Sequence, residues 1–227
     1  MLKQKSYSSK SRIFVIYNIF VKITHAEHKP KSYTLMEDSI LKNISKHITL
    51  TEEETALFNS VITYKTLAKK SILLEAGQDC RYLSYVVSGA LRSYYIDRDG
   101  RESTIMFAID DWWITDMYCY LNKKPAMIHI EAIEDSSIFQ ISRANFDYLL
   151  ETVPKFEKFF RIMMQNAYTR EQLRVMENLS LTAEERYHSF VLKYPQIVKQ
   201  VTKKQIASYL GITPEFLSTL KKPSNKI

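Results

Sequence analysis

A chain of 227 residues is long enough for two small domains, and its 45% hydrophobic and 25% charged content is that of an ordinary globular protein. Two isolated cysteines, Cys80 and Cys119, exclude a disulfide framework and a cysteine-ligated metal site, and they fit a reduced, cytoplasmic setting. The net charge of +7 is unevenly placed: residues 1–35 hold seven Lys/Arg against one acid, residues 36–154 hold 12 against 18, and residues 155–227 hold 13 against six. An acidic middle and a basic end suggest that the end meets a polyanion, although a solvated basic surface has the same composition.

The chain opens on a basic segment followed by the apolar run Ile13–Val21, which is too short to span a membrane, a crossing needing about 20 apolar residues. Without a small-residue cleavage site it reads as a leader or disordered arm, with Met36 as an alternative start; no membrane partner is expected. Residues 37–59 look helical, with Thr51 and Glu54 forming a capping box. From about Thr63 to Ser142 the pattern becomes short strands: residues 71–75, 82–88, 90–97, 102–108, 127–133 and 137–142. Gly77, Gly89 and Gly100 supply turns between them. This spacing, without alternating helices, predicts an antiparallel barrel or sandwich within an α+β chain.

Helical periodicity returns at Asn145–Glu151. Pro154 then suits the first turn of a long helix ending near Asn178. Its stripe of Phe156, Phe159, Phe160, Met163, Ala167 and Leu173 needs a partner. The expected partner is a mixture of the chain's own barrel and a second copy, which makes this a dimerisation helix and the protein a homodimer. Thr182 caps a further helix to Lys193, stopped at Tyr194-Pro195.

The strongest signal is VTKKQIASYLGITPEFLSTLKK, residues 201–222. Thr202 caps a short helix whose inward face is Ile206, Ala207 and Leu210. Gly211 provides the left-handed stop, Thr213 caps a second helix, and Pro214 takes its first position. Leu217 and Leu220 face back. This is helix-turn-helix spacing. The second helix of such a unit enters the major groove of double-stranded DNA, so Pro214, Glu215, Ser218 and Thr219 are candidate base contacts. Thr202, Lys203, Lys204, Lys221 and Lys222 are placed for phosphates. A helical hairpin without a DNA role has the same local pattern.

The element order, together with Ile206–Glu215 (IASYLGITPE) followed by Phe216-Leu217-Ser218, resembles the Crp/Fnr family of bacterial regulators, over residues 40–222, and is similar to its shorter Bacteroidetes-type members. The resemblance implies a cyclic-nucleotide-binding-like barrel of jelly-roll (double-stranded β-helix) type over 36–152, a dimerisation helix over 153–178, and a winged-helix-like helix-turn-helix over 179–227. It implies transcription regulation without enzymatic activity, RNA polymerase as a further partner, and Glu215 as a base reader.

The departures from the family pattern are specific. Where nucleotide-binding members carry Gly-Glu and, ten residues past the Glu, Arg-Ser or Arg-Thr, this chain has Thr115-Asp116 and Ala126-Met127. Ala126 cannot pair a phosphate, and a buried phosphate without a cation is costly. Cyclic AMP or GMP is therefore not the expected effector. An iron–sulfur sensor needs about four cysteines, and haem through the lone His129 is a weak reading; no cofactor is expected. The apolar, aromatic segment around Trp112, Trp113, Met117, Tyr118 and Tyr120 then either lines a pocket for an unknown apolar or aromatic effector or fills the barrel with no effector; the candidate ligand residues are Trp113, Thr115, Asp116, Ala126 and Met127. At the other end, Thr219 stands where the family usually has Arg, a loss of about 1–3 kcal/mol of discrimination per contact, and Pro223 leaves little room for a wing. These departures raise a second reading, a degenerate member acting as a sensor or interaction module with weak DNA binding. A cupin-type enzyme needs several histidines, and the strands hold only His129.

Overall fold

The computed structural model describes residues 31–220; residues 1–30 of the leader or arm expected at 1–35, and Lys221 and Lys222, lie outside them. Helices α1 (Lys31–Ser45) and α2 (Glu52–Val61) come first, so α1 runs through Met36. The helical stretch expected at 37–59 is two helices, the second starting at the capping box expected at Thr51: its side chain accepts from the Glu54 amide while Glu54 accepts from the Thr51 amide. Eight strands follow in two antiparallel sheets of four: β1 (Ile62–Leu67), β8 (Ser136–Ser142), β3 (Tyr82–Ser88) and β6 (Trp113–Ile114) in that order, and β2 (Ile72–Leu74), β7 (His129–Ala132), β4 (Ala90–Ile96) and β5 (Glu102–Ile109). The two sheets face each other as a jelly roll. Aliphatic side chains from both, including Leu67, Val86, Leu91, Ala108, Ile130 and Ile138, meet between them.

The β3–β4 corner needs glycine. Gly89 has φ +93°, and a Cβ there would stand 2.6 Å from the Asp135 carbonyl oxygen. Six predicted strands fall where the alternation placed them. Not expected from the sequence are β1 as a separate run, the two-residue β6, and helix α3 (Met117–Asn122), which occupies the stretch expected as a possible pocket lining.

Helix α4 (Arg143–Thr152) leads to α5 (Lys155–Ser180), the long helix. Then come α6 (Ala183–Lys193), α7 (Pro195–Gln200), α8 (Lys203–Leu210) and α9 (Pro214–Thr219). Pro195 does end α6, but it also opens α7 as its first residue, a use the sequence reading did not include. The first turns of α5 are buried: Phe156 and Phe159 join a core with Phe58 of α2 and Phe139 of β8. A separate core joins barrel to C-terminal helices, with Ala90, Phe107 and Ile133 packed on Phe190, Ile206, Ala207, Leu210 and Leu217. The helix-turn-helix is thus anchored on the barrel rather than tethered by a bare linker.

Candidate nucleic-acid interface and effector site

Helices α8 and α9 are set by local chemistry. The Thr202 hydroxyl accepts from the Gln205 amide, and Gln205 reciprocates through the Thr202 amide, a capping box. An N-cap of this kind contributes about 1 kcal/mol. Gly211 ends α8 at φ +68° with open space around it, so its need for glycine is conformational. Thr213 caps α9 through the Phe216 amide, with Pro214 at the first position. Ala207, fully buried, lets Leu217 of α9 close on Ile206 and Leu210.

What α9 leaves outward is Glu215, Phe216, Ser218 and Thr219, all exposed, while Pro214 is half-buried. The Ser218 hydroxyl donates to the Pro214 carbonyl at 2.8 Å and the Thr219 hydroxyl to the Phe216 carbonyl at 2.7 Å, so both rest on their own helix. Thr202, Lys203 and Lys204 are exposed at the start of α8.

The unit is fastened to strand β5, at the end of its sheet. The Thr104 amide donates to the Ser208 hydroxyl at 2.9 Å, and that hydroxyl donates to the Glu102 carbonyl at 2.7 Å. From α5, the Arg174 guanidinium donates to the carbonyls of Thr104, Ile105 and Tyr209 and lies 4.1 Å from the centre of the Tyr209 ring. Burial pushes the Tyr209 hydroxyl up to about 12. Neither Ser208 nor Arg174 was singled out in the sequence, since their partners lie far away in it.

At the sensor end, Asp116 caps α3. Its buried carboxylate accepts from the Cys119 amide at 3.2 Å and from the Met127 amide at 2.7 Å. Both oxygens are therefore committed to holding α3 against the following loop. Ala126 is buried and pairs by backbone with Gly77 and Gln78, whereas Met127 is exposed. The Thr115 hydroxyl donates to the Tyr82 carbonyl. Trp113 points away from the barrel interior: its indole donates to the Asn43 side chain, and its ring meets Tyr85 and Phe159. The candidate ligand residues thus divide into two groups. Asp116, Ala126 and Met127 surround α3, whereas Trp113 and Thr115 line an outer groove of about 500 Å³ along α5 with Trp112, Phe159 and Met163. Arg143, missed by the sequence reading, donates to the carbonyls of Cys80 and Cys119. Burial pushes both thiols up, which makes them poor nucleophiles. His129 stacks on Tyr94, and its Nδ1 accepts from the Ala76 amide.

Along α5 the candidate dimer residues also divide. Phe156 is buried against Phe58, Phe160 packs on Phe146, and Met163 is half-buried beside the same core, so these three serve the chain's own interior. Ala167 is half-buried and Leu173 exposed. The outward apolar residues are Tyr168, Val175, Met176 and Leu179, 56–84% exposed.

A cyclic nucleotide-binding domain model matches residues 64–153, the barrel and α4. The regulatory protein HlyX of Actinobacillus pleuropneumoniae is 26% identical over 187 residues, covering 76% of each chain. The fumarate and nitrate reduction regulatory protein of Vibrio cholerae is 24% identical over 196 residues, covering 81% of this chain and 78% of its own. Among solved structures, FixK2 of Bradyrhizobium japonicum shares 25% identity with a TM-score of 0.59 over 70% of this chain and 81% of its own.

Over about three quarters of its length the chain is similar to regulators of the Crp/Fnr family.

A structure described as a transcriptional regulator of the Crp/Fnr family from Eubacterium rectale has the same fold, with a TM-score of 0.61 at 21% identity over 74% of this chain and 81% of its own. This likeness agrees with the jelly roll, long helix and C-terminal helices, and it supports a Crp/Fnr-type transcription regulator. Among the described residues, no helix is long and apolar enough to cross a membrane.

Proposed function

We propose that this chain is a homodimeric, DNA-binding transcription regulator whose barrel no longer takes a cyclic nucleotide. The observation that carries the reading is the capped pair α8–α9, held by buried Ala207 and Leu217, with Glu215, Ser218 and Thr219 outward and Lys203 and Lys204 exposed beside them. An exposed helix face of this kind suits the major groove, and the flanking lysines suit phosphates. The apolar stripe Tyr168, Val175, Met176 and Leu179 on α5 supports pairing with a second copy. The commitment of Asp116 to two backbone amides, with Ala126 in place of a cation, supports loss of the nucleotide's ribose and phosphate contacts. Selection from a random duplex library tests the reading. A homodimer enriches a two-fold symmetric site with half-sites about 10–10.5 base pairs apart; no enrichment by the full chain overturns it and favours a protein-interaction role.

A further inference from the structure

The β4–β5 turn, Asp97–Arg101, stands across a cleft of about 500 Å³ from the start of the helix-turn-helix. Gly100 and Arg101 form one wall; Thr202, Lys204, Gln205 and Pro214 form the other. The turn is rigid, because the Asp97 carboxylate accepts from the Asp99 and Arg101 amides, both at 2.9 Å. The cleft is fixed in width, because Ser208 ties α8 to Glu102, the residue after Arg101.

Charge is sorted within it. The carboxylate of Glu102, which also lines the cleft, is held by Arg92 at 2.5 Å, and Arg92 is engaged further by Glu131. Arg92 between two carboxylates leaves that cluster one negative charge, against which Arg101 and Lys204 stand as two exposed cations on opposite walls. We infer that this cleft takes a backbone phosphate of duplex DNA, held between Arg101 of the barrel and Lys204 of α8. The sensor domain thereby becomes part of the nucleic-acid surface. The inference rests on the DNA-binding reading above and adds a contact outside the helix-turn-helix. A phosphate there suits the site because two cations flank it from opposite walls.

The test is the binding of the full chain to a 40-base-pair random-sequence duplex by fluorescence anisotropy between 50 and 200 mM salt. Each phosphate contact contributes about 0.9 to the slope of log K against log salt. Arg101→Ala is expected to lower the slope by about 0.9 and Arg101→Lys to restore most of it, with thermal unfolding unchanged. Lys204→Ala is expected to lower the slope similarly, and the exposed, distant Lys65→Ala to leave it unaltered. Binding of Arg101→Ala with the wild-type slope, while Lys204→Ala is weakened, overturns the inference and leaves the DNA-binding reading standing. No salt-dependent binding by the wild type overturns both.

Discussion

The Ser208 hydroxyl bridges two backbone groups of strand β5, accepting from the Thr104 amide at 2.9 Å and donating to the Glu102 carbonyl at 2.7 Å. One side chain of the first helix of the helix-turn-helix therefore completes the hydrogen bonding of a strand at the end of its sheet, 104 residues away in sequence. Such strands expose unpaired backbone groups. Here α8 covers one, and the barrel and the helix-turn-helix become one mechanical unit.

Replacing Ser208 by alanine leaves the Thr104 amide and Glu102 carbonyl without this partner. The expected loss is about 1–3 kcal/mol, since unsatisfied groups bear the desolvation penalty. Urea denaturation at pH 7 measures it. A change within 0.3 kcal/mol of wild type contradicts the assigned role.

The α5 stripe separates oligomerisation from folding. Val175→Glu with Leu179→Glu, both at exposed positions, is expected to give a folded monomer in analytical ultracentrifugation. Phe156→Ala, by contrast, removes a buried ring stacked 5.4 Å from Phe58 and is expected to destabilise the fold by about 3–5 kcal/mol. A dimer that survives the double glutamate variant contradicts the assignment of this face.

Asp116 is a structural carboxylate in this account. Asp116→Ala frees the Cys119 and Met127 amides and is expected to lower stability by about 1–3 kcal/mol. Cyclic AMP is expected to leave the melting temperature of the wild type unchanged, because a ligand shifts it only by binding the native state. A rise in melting temperature with millimolar cyclic AMP contradicts the reading.

Tyr209 gives the domain junction a pH signature. Burial pushes its hydroxyl from the ordinary value of 10 up to about 12 in the folded state. A group whose folded value is raised contributes stability that is fully present below its unfolded value and is lost as the pH rises through its folded value. Stability is thus expected to fall between pH 10 and 12. Tyr209→Phe should flatten that fall relative to wild type. An identical alkaline profile for the two proteins excludes the tyrosine as its source.

Local chemistry was the part of this protein most legible in the sequence. Thr51, Thr182, Thr202 and Thr213 cap the helices that their spacing announced, and Gly211 takes the left-handed turn. These devices act within four residues, so a short window contains the whole cause. The long-range choices were not legible. The three- and four-residue spacing of Phe156, Phe160 and Met163 shows that they need burial, but not whether by the same chain or another; the structure uses its own core. Asp116 is a ligand candidate in the sequence because Thr115-Asp116 stands where the family has Gly-Glu, and the six-residue α3 that it caps is too short to declare a period. Ser208 and Arg174 gave no signal, since their partners on β5 are identified only once the barrel is closed.

DNA binding by the full chain is read from its salt dependence on a duplex. Tight binding at 50 mM salt that weakens steeply by 200 mM is expected, with a slope reflecting several phosphate contacts at about 0.9 each. Absence of binding at 50 mM salt, from a protein that is folded and dimeric, would contradict it.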